Sequence, residues 1–332
     1  MPQLVIEHLE NLSYWVWLEY MHLSRAWRGK VLFTNVRKRE EREKLRRLGD
    51  VSDKSIVALA DKFDKVIVLD PLAEKELSPD DISEDSALVI GGICGDFELT
   101  GRTFESITSK LSDKENVDVR NLGKKQLTTD TAAIVALLIA NGKELGELEF
   151  TDAVEIELFP GVRVELPYGY LVLDGRPLLT PGLVQIFEAE YFGIENFPDT
   201  EILVVGAIVV REGKIMLLHR REEPLIWEFP SGKVEYGESL IQAVERELRE
   251  ETGLKLVRII DYAGDFYYAS RGGKARQFNF LVEAEGNVRL SEEHDEFRWV
   301  SYEELLKLRK GEDRGFLKEL GEKLRKFSLI SG

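Results

Sequence analysis

The sequence of 332 residues contains one cysteine, Cys94, together with three methionines and four histidines. A single cysteine excludes an intramolecular disulfide and any zinc cluster that is built from cysteine ligands. The chain has no run near the roughly 18 consecutive apolar residues that a transmembrane helix needs, and its N-terminus lacks the basic region of a signal peptide. We therefore expect a cytoplasmic protein with no membrane partner, whereas the oligomeric state stays open.

The first half of the chain also lacks the common motifs of nucleotide binding. Residues 1–200 contain neither a GxGxxG pattern nor a P-loop, and they carry a net charge of −13 out of the total of −16. Because affinity for nucleic acid depends on Lys and Arg, this charge is unfavourable for RNA binding. A basic run over 37–47 is the exception. Its interleaved glutamates fit either a solvated helix with i,i+4 ion pairs or an RNA-docking patch.

The length predicts two domains at roughly 100–200 residues per domain. Short apolar runs such as 4–6, 30–33 and 65–69 alternate with helical patterns in residues 1–190. This alternation predicts an α/β fold with a parallel sheet. We interpret residues 191–200 as a linker and residues 201–332 as a second domain.

The second domain contains a motif that points to chemistry. Residues 232–254 read GKVEYGESLIQAVERELREETGL, and Ser239 followed by Gln242 predicts the start of a helix that ends at Gly253. Three acids lie at i, i+3 and i+4 on this helix and therefore share one face: Glu247, Glu250 and Glu251. They repel one another unless a cation lies among them, and Mg²⁺ prefers such oxygen ligands. Taken alone, the pattern also fits a charged, solvated helix face, and we expect Arg246 to brace the acids.

Every fixed position of this stretch matches the Nudix box, G-x5-E-x7-R-E-U-x-E-E-x-G-U, so residues from about 201 to 310 resemble the Nudix hydrolases. The resemblance implies an α/β/α sandwich and Mg²⁺- or Mn²⁺-dependent attack of water on a pyrophosphate. It implies that Glu250 and Glu251 bind metal and that Glu247 is a metal ligand or the base. The carbonyl group of Gly232 and the later Glu296 are expected to be further metal ligands, although Glu296 also fits a surface acid.

The substrate is expected to be nucleotide-like, with nucleoside triphosphates, ADP-ribose-like diphosphates and cap-like ends all open. Three arginines are candidates for phosphate binding and four aromatic residues for base stacking, and each fits a packing role equally well: Arg220, Arg221, Arg276, Trp227, Phe266, Tyr267 and Phe278.

Two loops in the first domain are rich in glycine and threonine. The loop at 90–96 follows a predicted strand, and the loop at 120–131 precedes a predicted helix, which Thr128 or Thr129 is expected to cap. Glycine permits the backbone to approach a ligand closely. The two loops therefore predict a ligand site at the carboxyl edge of the parallel sheet.

These loops, together with Leu69-Asp70-Pro71 and Arg102-Thr103, resemble the SPOUT-class family of S-adenosyl-L-methionine-dependent methyltransferases, whose members modify RNA or, in a eukaryotic member, protein arginine. The resemblance spans most of residues 3–183 and implies a knotted SPOUT-like domain with a trefoil knot. The residues that it implies for cofactor binding are Gly91, Gly92, Gly95, Leu122, Gly123, Gln126, Thr128 and Thr129. It leaves Cys94 as a packing residue.

Because guanidinium stays protonated, an arginine acceptor needs carboxylates nearby. Glu19 and Asp96 are the candidate catalytic residues for methyl transfer, with Glu7 as a third acid, and each also fits a structural role. We interpret the chain as a bifunctional fusion that acts on a nucleotide and methylates protein arginine or RNA, with a ribosomal protein or RNA as acceptor. The alternative is an inactive SPOUT-like module that targets the hydrolase to the ribosome or RNA.

Overall fold

A computed structural model of the chain describes residues 1–93, 100–198, 200, 202–309 and 314–330. The contacts between residues divide the chain into two compact units, Met1–Leu183 and Val184–Gly332. Most of helix α6, Leu183–Tyr191, therefore belongs to the second unit, although the sequence-based boundary after residue 190 assigns it to the first. Within the described ranges, no helix is long and apolar enough to cross a membrane.

The first unit is built on a six-stranded sheet in the order β3-β2-β1-β5-β4-β6. All neighbouring strands in it are parallel, which confirms the predicted α/β architecture. The strands are β1 (Gln3–His8), β2 (Val31–Thr34), β3 (Asp50–Val51), β4 (Lys65–Leu69), β5 (Ser86–Gly92) and β6 (Val117–Arg120). The trefoil knot stays a prediction.

Helices cover both faces of this sheet because its central strands are apolar on both faces. In β1, Leu4 and Ile6 belong to one core cluster and Val5 belongs to the other. The helices of this part are α1 (Tyr14–Ala26), α2 (Arg39–Leu45), α3 (Ile56–Leu59), α4 (Ser109–Leu111) and α5 (Thr129–Ala140). A three-stranded sheet and a hairpin follow, formed by β7 (Glu149–Phe150), β8 (Val154–Phe159), β9 (Val162–Leu166), β10 (Leu171–Leu173) and β11 (Arg176–Pro177).

The basic run lies at α2 and is used largely for local contacts. Arg39 pairs with Glu43 four residues later at 2.9 Å, and Arg42 donates to the carbonyl oxygens of Val36 and Arg37. These contacts fit the interpretation as a solvated helix with i,i+4 ion pairs, and the RNA-docking patch stays a prediction.

The second unit holds a mixed sheet. Some of its strands precede the motif helix α7 (Leu240–Thr252) in the sequence, and the others follow it. The long strand β12 pairs in parallel with β17 and antiparallel with β13 and β15. The strands are β12 (Ile202–Arg211), β13 (Lys214–Arg220), β14 (Trp227–Glu228), β15 (Ser231–Lys233), β16 (Lys255–Ser270), β17 (Gly273–Glu285) and β18 (His294–Val300). Helices α8 (Tyr302–Leu308) and α9 (Arg314–Lys326) follow, and α9 buries Phe316, Leu317 and Leu320 in the core of this unit.

Candidate active sites

Helix α7 begins and ends where the sequence predicts. The Ser239 hydroxyl accepts from the N–H of Gln242 at 3.1 Å, and the Gln242 side chain accepts from the N–H of Ser239 at 2.9 Å. Gly253 ends the helix with φ of 69°, in the left-handed region that favours glycine. These caps confirm the predicted capping box and the predicted C-terminus, and they fix the register of the carboxylate-bearing turns.

Two of the three acids point at strand β15. A Cβ atom built on Gly232 would lie 1.9 Å from Oε1 of Glu247, so only glycine leaves room for this carboxylate against the strand. The N–H of Ser231 donates to Oε2 of Glu251 at 2.8 Å. The glycine of the motif therefore lets the backbone pack closely against a carboxylate. As a result, the segment around Gly232 lies next to both Glu247 and Glu251.

Arg246 joins the third acid to the cluster. Its guanidinium donates to Oε1 of Glu247 at 2.6 Å and to Oε2 of Glu250 at 3.2 Å, and it also binds both carboxylate oxygens of Glu238. The predicted bracing role of Arg246 is confirmed. The carboxylates of Glu238 and Glu247 raise the pKa of Arg246 further above its ordinary value.

The electrostatics of Glu251 point to a cation. Burial, together with the charges of Glu228, Glu247 and Glu293, raises the pKa of Glu251 to about 8. Burial also raises the pKa of Glu247 above its ordinary value. A divalent cation would offset such repulsion between acids, and carboxylate and carbonyl oxygens are its preferred ligands. The donor set therefore fits Mg²⁺ or Mn²⁺, although in the described part of the chain no three acidic, histidine or cysteine side chains are already grouped as a metal site.

The sequence reasoning missed three residues beside Glu251. The buried His294 lies 3.3 Å from Oε1 of Glu228 and 4.0 Å from Oε1 of Glu251, and Glu293 precedes it. The predicted ligand Glu296 is instead paired with Arg298 at 2.7 Å. The sequence predicts that an acid near β18 approaches α7. Whether this acid is Glu293 or Glu296 depends on the register of β18, which shifts at the bulge where β18 pairs with β13.

Several candidates for substrate binding have packing roles. Arg276 is buried, forms two hydrogen bonds with Asp265 and donates to the carbonyl oxygens of Glu195 and Asn196. Phe278 is fully buried. Arg220 pairs with Glu228 at 3.4 Å, and Trp227 stacks on His219 and Arg298. Of these candidates, Arg220 lies near the acids of α7. Its partner Glu228 is close enough to Glu251 for its charge to raise the pKa of Glu251.

A pocket opens in the first unit at the carboxyl ends of β4, β5 and β6, as the two loops predict. It encloses about 760 Å³ of open space, including solvent at its mouth. Its walls come from the segments 69–72, 90–93, 100–103 and 122–132, with these lining residues: Leu69, Asp70, Pro71, Leu72, Ile90, Gly91, Ile93, Thr100, Gly101, Arg102, Thr103, Leu122, Gly123, Lys125, Gln126, Leu127, Thr129 and Ala132.

Five of the eight residues expected to contact S-adenosyl-L-methionine line this pocket, namely Gly91, Leu122, Gly123, Gln126 and Thr129. The structure therefore brings the two predicted loops together as walls of one cavity. Gly92 and Thr128 are not in the lining, and Gly95, Asp96 and Cys94 lie outside the described residues. The sequence reasoning did not assign Asp70, Lys125 or Ala132, which line the same cavity.

Gly92 and Thr128 have structural roles instead. A Cβ on Gly92 would lie 2.0 Å from the hydroxyl oxygen of the buried Tyr20, so this glycine makes room for the tyrosine. Thr128 is the N-cap residue of α5, as the sequence predicts, but its hydroxyl bonds to the side chains of Asp130 and Thr131 and makes no capping hydrogen bond. The N–H of Thr129 donates to Glu19 instead.

Glu19 is buried on α1 and lies directly behind the pocket wall. Its carboxylate accepts from the indole N–H of Trp15 at 2.7 Å and from the N–H of Thr129 at 3.2 Å. Burial, together with the charge of Asp130, raises the pKa of Glu19 well above its ordinary value. Glu7 is equally buried, but it accepts from the Thr34 hydroxyl and from the N–H of Ile56, which is a structural role at the start of α3.

The pocket has the mixed lining that a nucleoside-like cofactor needs. Leu122 and Leu127 supply apolar surface, and the positive φ of 90° at Gly123 turns the chain at the wall. Oε1 of Gln126 is buried without a hydrogen-bond partner among the described residues. Because an unsatisfied buried acceptor is costly, an N–H group of a ligand would complete it. The residues present therefore fit S-adenosyl-L-methionine.

Taken together, the carboxylate helix defines a hydrolase of the Nudix class, and the pocketed parallel sheet defines a cofactor-binding domain of the methyltransferase type. Comparison with protein families agrees with both assignments. The family described as protein arginine N-methyltransferase SFM1-like matches residues 3–191, and the Nudix domain family matches residues 200–320. The chain belongs to the SFM1-like family and carries a Nudix hydrolase domain after it.

Similar proteins divide between the two parts of the chain. The protein arginine N-methyltransferase SFM1 of Saccharomyces cerevisiae is 29% identical over 203 residues, which are 56% of this chain and 94% of that protein. The CTP pyrophosphohydrolase of Escherichia coli is 36% identical over 108 residues, which are 32% of this chain and 79% of that protein. The crystal structure of the yeast arginine methyltransferase SFM1 complexed with SAM is 27% identical, has a TM-score of 0.50, and covers 57% of this chain and 91% of that one.

Proposed function

We propose that the chain is a bifunctional enzyme: a Mg²⁺-dependent pyrophosphohydrolase of nucleoside triphosphates joined to an S-adenosyl-L-methionine-dependent protein arginine methyltransferase. The observation that carries the hydrolase is the face of α7, which bears Glu247, Glu250 and Glu251 and packs Glu247 against Gly232. The similarity to a CTP pyrophosphohydrolase supports a nucleoside triphosphate as the substrate.

The roles of the acids follow from their surroundings. Glu250 and Glu251 are proposed as metal ligands, Glu247 as a ligand or the base, and the Gly232 carbonyl as a further ligand. A divalent cation would polarise the phosphate and the attacking water at this place. Arg246 donates to both Glu247 and Glu250 and so holds their carboxylates on one side of the helix. The two acids are thereby aligned before a metal or a substrate binds.

The hydrolase is tested with the full-length protein and a panel of nucleotides. We expect release of pyrophosphate from a nucleoside triphosphate in Mg²⁺ or Mn²⁺, complete loss of activity in a chelator, and recovery when the metal is restored. An ADP-ribose-like or cap-like substrate that is hydrolysed faster would replace the triphosphate. Equal turnover with and without chelator would overturn the metal site.

The pocket carries the methyltransferase proposal. The similarity to SFM1 in complex with SAM supports S-adenosyl-L-methionine as its ligand. Glu19 and Asp96 stay the proposed acids for an arginine acceptor. Glu19 contacts the pocket residue Thr129 through the backbone, so we expect it to act beside the cofactor. The acidic first half of the chain favours a basic protein acceptor over RNA.

Cofactor binding is tested by calorimetry with S-adenosyl-L-methionine and with S-adenosylhomocysteine. We expect a micromolar dissociation constant, or about −8 kcal/mol. Ala132→Leu places a larger side chain into the pocket and should abolish binding, whereas Ala58→Leu, on the exposed face of α3, should leave it unchanged. Wild-type protein without measurable binding would overturn the proposal for the first unit.

The acceptor is identified by mass spectrometry of ribosomal proteins and RNA from cells with and without this protein. Loss of a methyl group from a protein arginine supports the proposal, and loss from RNA replaces the acceptor. If the cofactor binds but neither class of molecule changes, the first unit is a binding module that targets the hydrolase.

A further inference from the structure

Helix α6 precedes the Nudix match in sequence, yet it contacts the start of α7 within the second unit. Glu188 has no exposed surface, and its Oε2 accepts from the N–H of Leu240 at 2.6 Å. Its Oε1 accepts from the N–H of Ile241 at 3.3 Å. The first N–H groups of a helix have no partner inside the helix, and a negative charge at this end is favourable. Glu188 therefore completes the N-terminal turn of α7 from another helix.

A second residue of α6 contacts the same turn. The side-chain N–H of Gln185 donates to the carbonyl oxygen of Glu238 at 2.6 Å. The carboxylate of Glu238 binds Arg246 at 2.8 and 2.9 Å, and Arg246 binds Glu247 at 2.6 Å. A continuous series of hydrogen bonds thus runs from α6 to the carboxylate face of α7.

The choice of an acid at position 188 needs an explanation beyond packing. Burial raises the pKa of Glu188 to about 7, which shows that its charged form is disfavoured there. An apolar residue would avoid this cost but would leave the N–H groups of Leu240 and Ile241 without a partner. The contact is therefore specific for a side chain with two acceptor oxygens.

We propose that Gln185 and Glu188 are positioning residues for nucleotide hydrolysis, because they hold the start of the helix whose later turns carry the catalytic acids. This inference rests on the proposed hydrolase function. It also assigns α6 a role that its sequence does not suggest, since the SFM1-like match extends to residue 191. The hydrolase would then depend on a segment that the methyltransferase family shares.

The test uses the full-length protein with Glu188→Ala and Glu188→Gln, and with Glu190→Ala as an exposed control on the same helix. In Glu188→Ala we expect the kcat of hydrolysis to fall roughly 10-fold, as is common for residues that orient metal ligands. The Mg²⁺ concentration for half-maximal activity should rise, and the KM for the nucleotide should stay unchanged. Glu188→Gln should recover part of the kcat because its carbonyl oxygen still accepts one N–H.

Amide hydrogen exchange gives a readout that does not depend on activity. Exchange at Leu240 and Ile241 should become faster in Glu188→Ala and stay as in wild type in Glu190→Ala. If Glu188→Ala does not fold, Glu188→Gln and Gln185→Ala carry the same test. Wild-type kcat and Mg²⁺ dependence in the folded variants would overturn the inference. If the wild type hydrolyses nothing, the proposed function fails, and unchanged exchange at Leu240 would separately overturn the contact.

Discussion

The two candidate sites differ in how their residues are distributed along the chain. The three acids of the motif and the glycine that faces Glu247 lie within residues 232–254, whereas the pocket of the first unit draws on four segments between residues 69 and 132. A site on one helix is defined by helical periodicity alone. A site at the edge of a parallel sheet is defined only once the strand order is known. This difference explains why a single motif identifies the site of the second unit, whereas the residues of the site in the first unit come from separate segments.

The buried acids of the two sites also differ in their partners. Glu19 accepts hydrogen bonds from Trp15 and Thr129, and its neighbour Asp130 is bonded to His22 and Thr180, both at 2.7 Å. Glu251 accepts one backbone N–H and lies near several other acids. The charge of Asp130 also raises the pKa of Glu19, but both of these acids have several donors, whereas Glu251 has one backbone donor among several acids, which indicates a place for a cation. This comparison favours catalysis on α7 and leaves the catalytic role of Glu19 as a prediction.

The largest effect on stability is expected from removing the N-terminal segment of the second unit, residues 184–200. A fragment of residues 184–332 should fold and hydrolyse alone, and a fragment of residues 201–332 should lose more than about 3 kcal/mol of unfolding free energy or be insoluble. The shorter fragment lacks Glu188, and it also lacks Phe192 and Phe197, whose rings pack on Phe280 and Phe278. Thermal unfolding and nucleotide hydrolysis of both fragments check this. Equal stability would show that the Nudix match is self-sufficient.

The next effect concerns the local site. Glu251→Gln should lower the rate of hydrolysis at least about 100-fold, because it removes a charge from the proposed metal ligands. The variant should be no less stable than wild type without metal, since the charges that raise the pKa of Glu251 then face a neutral amide. Glu245→Gln lies on the exposed face of α7 and is the matched control. A Glu251→Gln enzyme with wild-type kcat would remove Glu251 from the site.

A smaller effect is expected at Gly92, where a substitution tests whether this glycine is needed for packing or for ligand binding. Gly92→Ala places a Cβ against the Tyr20 hydroxyl and should cost about 1–3 kcal/mol of unfolding free energy. The affinity of the folded variant for S-adenosyl-L-methionine should stay unchanged, because Gly92 is outside the lining of the pocket. Gly146→Ala, where a Cβ meets no atom within 4 Å, should change neither quantity. A selective loss of binding in Gly92→Ala would return this glycine to the cofactor site.

Residues that follow local rules were predicted from the sequence, and residues that depend on distant contacts were not. The caps at Ser239 and Gly253 follow from short-range geometry, and the parallel sheet with its converging loops follows from the alternation of strands and helices along the chain. Thr128 is the N-cap residue of α5, but the N–H of Thr129 is bound by Glu19, which lies 110 residues away from it in sequence. Arg276 is a candidate phosphate ligand by residue type, but in the fold it pairs with Asp265.

The smallest effect distinguishes two acids near β18. The sequence expectation names Glu296, which pairs with Arg298, while the structure places the charge of Glu293 close enough to raise the pKa of Glu251. An acid that repels Glu251 without metal would help to hold a shared cation once one is bound. Glu293→Gln should therefore lower the rate of hydrolysis several-fold and raise the Mg²⁺ concentration for half-maximal activity. Glu296→Gln should change both by less than about two-fold, as expected for an exposed ion pair, and the reverse ranking in a Mg²⁺ titration would restore Glu296 as the ligand.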